Sequence, residues 1–268
     1  MKYQSGGSLD IPLSCVLYLA GDMDFSRVWK GGEGIIKVIK HISVWGDSLL
    51  RGVVFNDLKG KYETLKTSVA THCSKILGIN VDNNSRFGAT ITRGSKSLSQ
   101  ALDRGLVCDA VLLEYGGNDC DFNWEEVSRD PCAAHSPHTP LDSFRKTLLN
   151  MIHTLWQRGI EPILMSLPPL DPRRYFDWIT RNGLNKENIM RFLGDVGLIY
   201  RHQERYSLAV TSVAMEQRCR YIDVREAFLS RRDIGALLCS DGIHPNEKGH
   251  NVIREAFVKY MRAFLGVG

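Results

Sequence analysis

Short apolar runs alternate with longer amphipathic segments along most of this 268-residue chain. The runs are rich in Val, Ile and Leu and nearly continuous, which is typical of strands buried on both faces of a sheet. Five of them occur, at residues 38–45, 77–82, 109–116, 161–168 and 219–224. Strand and helix patterns that alternate about five times predict a parallel sheet with helices on both faces, a three-layer α/β/α sandwich.

The segments between the runs carry signals for where helices begin and end. In "HTPLDSFRKTLLNMIHTLWQRG", Thr139 is predicted to be the N-cap and Pro140 the first helical residue, and Gly159 is predicted to stop the helix. The stretch "NEKGHNVIREAFVKYMRAFL" predicts a second amphipathic helix that closes the chain.

One domain is expected over residues 38–268, preceded by an N-terminal extension at 1–37 whose pattern suggests an extra hairpin. Two segments within the domain are longer than ordinary connections. Residues 119–139 are predicted to form a long polar loop after the third run. The pattern at about residues 169–206 predicts a helical insertion after the fourth run. Loops after the carboxyl ends of parallel strands surround the ligand crevice, so both segments are expected near a binding site.

Composition and charge exclude several classes of partner. A net charge of +4 over this length is too small to predict a nucleic-acid surface. No stretch approaches the roughly 18 apolar residues of a membrane span. Seven cysteines, an odd number without a secretory signal, predict free thiols in a reducing compartment and hence a cytoplasmic protein. Oligomeric state is not readable from any pattern.

Polar or small residues follow four of the predicted strands. Ser48 follows the first, Gly88 the second, Asn118 the third, and the pair Asp241 and His244 the fifth. The carboxyl ends of parallel strands meet at one edge of a sheet, so these residues are expected to converge there, as an active site requires.

A serine at this edge is predicted to be a nucleophile. The start of a helix offers unpaired backbone N–H groups, but a hydroxyl stays unreactive until a base accepts its proton. His244 is that base, and Asp241 is expected to hold the other imidazole nitrogen within a tight Gly-containing turn. The backbone N–H groups of Ser48 and Gly88 and the amide of Asn118 would then form an oxyanion hole.

The four blocks resemble the signatures of the SGNH, or GDSL, hydrolases. They are "WGDSLL" around Ser48, Gly88 after "NNSRF", "GGND" at 116–119 and "DGIHP" at 241–245, and the resemblance runs from Lys37 to the C terminus. It implies a flavodoxin-like five-stranded sheet, and ester hydrolysis by a Ser-His-Asp triad through an acyl-enzyme, without a metal or other cofactor. Short-chain esters, acetylated sugars and lysophospholipids all fit such a triad, so the expected partner is a small-molecule acyl ester.

Three other interpretations of these residues stay open at this point. Ser48 taken alone is also a good helix N-cap. The fold would equally serve a catalytically silent ligand-binding protein. A metal-dependent hydrolase is the third, because four potential zinc ligands lie in one loop, in a spacing that matches no standard zinc pattern: Cys120, Cys132, His135 and His138.

Further side chains receive structural interpretations. Asp47 and Asp119 are expected to shape turns, and His250 to lie on a helix surface. Aromatic residues of the insertion are expected either to line the substrate pocket or to form a separate hydrophobic core within the insertion. They are Tyr175, Phe176, Trp178, Phe192 and Tyr200.

Overall fold

The computed structural model describes residues 39–265, with side chains through residue 263. The extension expected at residues 1–37 therefore lies outside the described residues. Within the described range the strands are β1 (His41–Gly46), β2 (Val53–Asn56), β3 (Lys61–Thr64), β4 (Asn80–Asn83), β5 (Ala110–Glu114), β6 (Glu161–Met165) and β7 (Arg220–Ile222).

The five strands expected from the apolar runs form one parallel sheet. Its spatial order is β4-β1-β5-β6-β7. Counting only these five strands along the chain, the order is 2-1-3-4-5, which is the flavodoxin-like arrangement. The predicted parallel sheet is thereby confirmed. β1 and β5 lie side by side near its middle, so the residues after their ends face each other.

Helices cover both faces of the sheet, as the three-layer prediction requires. Their bounds are α1 (Ser48–Arg51), α2 (Val69–Leu77), α3 (Ile91–Asp103), α4 (Trp124–Arg129), α5 (Leu141–Gln157), α6 (Pro172–Thr180), α7 (Lys186–Leu193), α8 (Gly197–Gln217), α9 (Val224–Leu229) and α10 (Glu247–Leu265). Side chains of α3, α5 and α8 form the core on one face, and those of α2, α9 and α10 form it on the other. No helix in the described part of the chain is both long and apolar enough to cross a membrane.

Two features lie outside the sandwich. The antiparallel hairpin β2–β3 follows α1 and pairs Phe55 with Tyr62 across its two strands. Helices α6 and α7 fall within residues 169–206 and contribute to a third apolar cluster, which includes Trp124, Tyr175 and Phe176. The hairpin was not expected from the sequence, although Gly60, at φ 59°, supplies the turn residue that would have signalled it.

The prediction that Thr139 caps α5 is wrong by one residue. Pro140 occupies the N-cap position without a side-chain cap bond, and the helix begins at Leu141. Thr139 is buried, and its hydroxyl hydrogen-bonds to the Asp119 side chain instead. A competing acceptor at the other end of the same loop therefore outweighs the local capping interaction.

The prediction that His250 lies on a helix surface is also wrong. Only 1% of His250 is exposed. Its Nε2 donates to the backbone carbonyl of Val53 at 3.1 Å, which ties α10 to the start of the β2–β3 hairpin. Burial, which disfavours the charged imidazolium, lowers the pKa of His250 to about 4.

His250 should make the folded chain sensitive to mild acid. Between its ordinary pKa of 6.5 and about 4, the unfolded chain binds a proton that the folded chain does not, so stability falls as pH falls through that window. The contribution is on the order of 3 kcal/mol of unfolding free energy. Urea unfolding at pH 7, 5.5 and 4.5 should show a smaller loss for His250→Gln than for the wild type.

A matched substitution separates this effect from general acid denaturation. His153→Gln changes an exposed histidine on α5 and should keep the wild-type loss of stability. The account of His250 would be contradicted if His250→Gln lost as much stability on acidification as the wild type does.

Candidate active site

A continuous hydrogen-bonded chain links the three residues predicted to form a triad. Ser48 Oγ lies 2.9 Å from His244 Nε2, and His244 Nδ1 lies 2.6 Å from Asp241 Oδ2. All three residues are buried. The Asp241 carboxylate only accepts hydrogen bonds, so Nδ1 carries the proton and Nε2 is left to accept one from the Ser48 hydroxyl.

The junction between β1 and α1 positions Ser48. Asp47 is the N-cap of α1, and its Oδ1 accepts from the Leu49 backbone N–H at 2.9 Å. The alternative that Ser48 is merely the cap is therefore wrong, because its neighbour performs that role. Ser48 becomes the first helical residue, and its hydroxyl is free to face His244.

A tight turn presents His244 to Ser48. Asp241 Oδ1 accepts the backbone N–H groups of Ile243 at 3.1 Å and His244 at 3.0 Å. Gly242 has φ 75°, and a Cβ there would lie 2.7 Å from the Asp171 carbonyl oxygen, so only glycine fits. Burial alone would raise the pKa of Asp241, but these hydrogen bonds and the His244 ring outweigh it and hold that pKa below its ordinary value.

Tyr62, which sequence reasoning missed, also contacts the triad. Its hydroxyl donates to Asp241 Oδ2 at 3.1 Å, the same oxygen that accepts from His244. Its ring centroid lies 5.0 Å from that of His244. The β2–β3 hairpin brings Tyr62 to this position, so only recognition of the hairpin in the sequence would have pointed to it.

The predicted oxyanion donors lie around the same space as Ser48. Asn118 Nδ2 donates to Asp47 Oδ2 at 2.8 Å, which fixes the amide and leaves its second N–H available. Gly88, with φ 67°, lines a cavity together with Ser48 and Asn118, and no atom lies within 4 Å of where its Cβ would be. The geometry thus leaves open space beside all three predicted donors.

A second carboxyl group lies against Asp47 and was also missed. Glu114, at the end of β5, accepts the Asp47 backbone N–H at 3.3 Å through Oε2 and is 1% exposed. A Cβ on Gly46 would lie 2.8 Å from that oxygen, so the glycine makes room for it. Burial, with the nearby charge of Asp47, raises the pKa of Glu114 well above its ordinary value, which favours its protonated form.

The four potential zinc ligands do not converge. His135 Nε2 donates to the Asp130 carbonyl at 2.7 Å, and His138 Nδ1 donates to that of Asn118 at 3.0 Å. Cys120 Sγ donates to a backbone carbonyl as well, whereas Cys132 is exposed. Between residues 39 and 263, no group of three or more His, Cys, Asp or Glu side chains is arranged to hold a metal ion.

Asp119, expected to shape a turn, is buried and accepts the Ile91 backbone N–H through both oxygens, at 2.9 and 3.1 Å. It therefore joins the loop after β5 to the start of α3. Burial raises its pKa to about 6.

Two cavities meet at Ser48, Asn118 and His244. The inner cavity, of about 130 Å³, extends from Ser48 to the apolar side chains of Leu167, Leu193, Leu198 and Ile199. The outer cavity, of about 310 Å³, is lined by Tyr62, Phe87, Gly88, Trp178 and Arg181. Tyr175 lines both cavities and also belongs to the apolar cluster of the insertion, so the two roles expected for those aromatic residues coexist.

Comparison with known proteins gives a family match over most of the described chain. The sequence model of the GDSL-like lipase/acylhydrolase family matches residues 44–252. No curated protein sequence matches.

Solved structures share the fold. The chain is similar to the lipase/acylhydrolase from Enterococcus faecalis, with a TM-score of 0.60 and 18% identity over 84% of this chain and 96% of that one. It is similar to a carbohydrate acetylesterase family member from Sinorhizobium meliloti, with a TM-score of 0.57 and 17% identity over 85% and 100%. It is also similar to an alpha/beta hydrolase enzyme from the metagenome of Lake Arreo, Spain. The TM-score is 0.60, and the sequence identity is 21% over 87% of this chain and 99% of that one.

The protonation state of Glu114 can be tested by an uncharged substitute. A carboxyl group whose folded pKa is raised contributes stability that is fully present below its ordinary pKa, which is 4.5 for glutamate, and that is lost as pH rises from there through the folded pKa. Glutamine has no proton to lose, so the unfolding free energy of Glu114→Gln should increase relative to that of the wild type as pH rises from about 4 to about 8. Urea unfolding of both proteins across this range measures the difference.

Glu187→Gln, which neutralises an exposed glutamate on α7, serves as the control and should keep the wild-type dependence of stability on pH. A difference in unfolding free energy between Glu114→Gln and the wild type that stays constant over this range would contradict a raised pKa of Glu114.

Proposed function

Because the chain belongs to the GDSL-like lipase/acylhydrolase family, whose members hydrolyse esters, we propose that it cleaves carboxylic acyl esters of small molecules with Ser48 as nucleophile. The observation that carries the proposal is the hydrogen-bonded chain Ser48–His244–Asp241, which joins residues 196 positions apart. His244 is the proposed general base, and Asp241 holds its ring.

In the first half-reaction, Ser48 Oγ attacks the ester carbonyl carbon while its proton passes to His244 Nε2. The resulting imidazolium is stabilised by Asp241, whose charge is held by the backbone of its own turn and by Tyr62. The tetrahedral oxyanion is stabilised by the backbone N–H groups of Ser48 and Gly88 and by the Asn118 amide. The bond to the alcohol oxygen then breaks, and His244 gives that oxygen its proton.

In the second half-reaction, His244 accepts a proton from water, and the hydroxide attacks the acyl-enzyme carbonyl. Collapse of this second tetrahedral intermediate breaks the bond to Ser48 Oγ, which regains the proton from His244. The products are one carboxylic acid and one alcohol, and no oxidant, reductant or metal enters the balance. The proposed classes of substrate are short-chain esters, carbohydrate acetyl esters and lysophospholipids.

Removal of the Ser48 hydroxyl should abolish turnover. Ser48→Ala leaves the oxyanion donors in place but removes the nucleophile, so kcat/KM for 4-nitrophenyl butyrate should fall at least about 1,000-fold. The measurement is release of 4-nitrophenolate, corrected for spontaneous hydrolysis.

Ser85→Ala provides the matched control. Ser85 is buried in the loop after β4, and its hydroxyl has no hydrogen-bond partner, so its loss should leave kcat/KM within about twofold. Wild-type turnover in the Ser48→Ala protein would contradict the proposed route. Loss of activity on chelation with Ser48→Ala still active would favour a metal-dependent hydrolase.

A further inference from the structure

The two cavities differ in ways that distinguish the two parts of an ester, the acyl group and the alcohol group. The inner cavity is small, and its far wall consists of apolar side chains from α7 and α8, including Leu193, Leu198 and Ile199. The outer cavity is larger, and the Phe87 side chain in its wall is 54% exposed. The inner cavity is therefore the smaller and more enclosed of the two, and the outer cavity opens more widely toward solvent.

The order of the chemical steps indicates which cavity holds the acyl group and which holds the alcohol group. The alcohol must leave while the acyl group is still bonded to Ser48 Oγ, and a water molecule must then reach the acyl carbon. Both movements need a route to solvent next to His244, which lines both cavities. Only the acyl group can stay in place throughout the first half-reaction, so an enclosed space suits it and does not suit the departing alcohol.

We infer that the inner cavity receives the acyl chain and the outer cavity receives the alcohol, an inference that rests on the acyl-enzyme route proposed above. The volume of the inner cavity sets the chain length. A comparable engineered apolar cavity of about 150 Å³ stays dry and accommodates benzene, a molecule of six carbons. At about 130 Å³, the inner cavity has room for a straight acyl chain of roughly six carbons.

Most polar side chains in the inner wall have partners within the protein. Gln203 donates to the Pro168 carbonyl at 2.9 Å and accepts from Arg225 at 3.1 Å. Asp121 accepts from Tyr175 at 2.7 Å and from Trp124 at 2.8 Å. These groups have their hydrogen bonds already, so an apolar chain entering the cavity does not strip them of partners.

Two polar atoms of the inner wall, Glu114 Oε1 and His202 Nε2, are buried without a hydrogen-bond partner. Burial raises the pKa of Glu114 and lowers that of His202, which favours the uncharged form of each group. A neutral aliphatic acyl chain is therefore compatible with the inner wall.

The aromatic walls of the outer cavity suit an alcohol that contains a ring. Trp178 packs edge-on against Phe55, with ring centroids 4.5 Å apart, and the Arg181 guanidinium lies 3.3 Å from the Trp178 ring centroid. Tyr62 and Phe87 have ring centroids 5.3 Å apart on the side that faces His244. Aromatic faces around a leaving group favour alcohols that contain a ring.

Acyl-chain selectivity provides the test. With 4-nitrophenyl esters of two, four, six, eight and ten carbons, kcat/KM should rise about fourfold per methylene up to roughly six carbons and then stop rising. Leu198→Trp fills the inner cavity and should lower the hexanoate-to-acetate ratio of kcat/KM at least tenfold. Leu198→Ala enlarges the cavity and should move the optimum to longer chains, which keeps the test intact if the tryptophan variant does not fold.

Two further variants make the assignment specific. Leu208→Trp places the same bulk on the same helix, at a side chain that is 54% exposed and lines neither cavity, and should leave the chain-length profile unchanged. Trp178→Ala should change the preference between phenyl and ethyl hexanoate without changing the hexanoate-to-acetate ratio.

The opposite pattern would overturn the assignment. If Leu198→Trp penalised large alcohols and left the acyl profile unchanged, the two parts of the ester would be reversed. A profile that keeps rising to ten carbons in the wild type would contradict the predicted chain length. If turnover still depends on Ser48, either of these results refutes only the assignment of the two cavities. If turnover survives in Ser48→Ala, the proposed function itself is refuted.

Discussion

The Asp47 carboxyl group joins the ends of the two central strands, and the geometry around Ser48 depends on it. One oxygen caps α1 through the Leu49 N–H, and the other accepts the side-chain amide of Asn118. The Glu114 carboxyl, whose pKa is raised by burial, lies against it from the end of β5. Serine and asparagine, which come from different strands, are therefore held by one buried group. Burial raises the pKa of Asp47, and these hydrogen bonds offset only part of the cost of its charge.

Asp241 orients His244 on the other side of Ser48, as Asp47 orients the start of α1 and the Asn118 amide. Two backbone N–H groups, the His244 ring and the Tyr62 hydroxyl all donate to it. A carboxylate held by four donors keeps its charge in a buried place, which fixes the tautomer of His244 and points Nε2 at the serine. The sandwich supplies the edge on which this arrangement sits, while the β2–β3 hairpin and helices α6 to α8 contribute walls of the two cavities.

Sequence patterns predicted the features that local chemistry determines. Apolar runs located all five sheet strands, most directly β1, β5 and β6, which are buried along almost their whole length. The edge strand β4 is mostly exposed and polar, although the apolar run at 77–82 overlaps all of it but Asn83. The turns that carry Ser48 and His244 were recognisable because glycine and aspartate have fixed roles in such turns. The fold and the family were thereby predicted correctly, including the parallel sheet and its helices on both faces.

Features that depend on distant partners were missed. Thr139 has the right chemistry for a cap, but Asp119, twenty positions earlier in the sequence, binds its hydroxyl. His250 has a polar ring, but the Val53 carbonyl gives that ring a partner inside the protein. Tyr62 and Glu114 belong to segments without a distinctive motif, and their significance arises only when the hairpin and the strand ends come together. No periodicity in the sequence encodes those contacts.

Covalent labelling with a fluorophosphonate tests the central claim most directly, because phosphonylation requires a serine whose hydroxyl is activated by a base. Intact mass spectrometry should show one adduct per chain, and peptide mapping should assign it to Ser48. The adduct should be missing in Ser48→Ala and formed far more slowly in His244→Gln. An adduct on another residue, or no adduct in a protein that hydrolyses esters, would contradict the account.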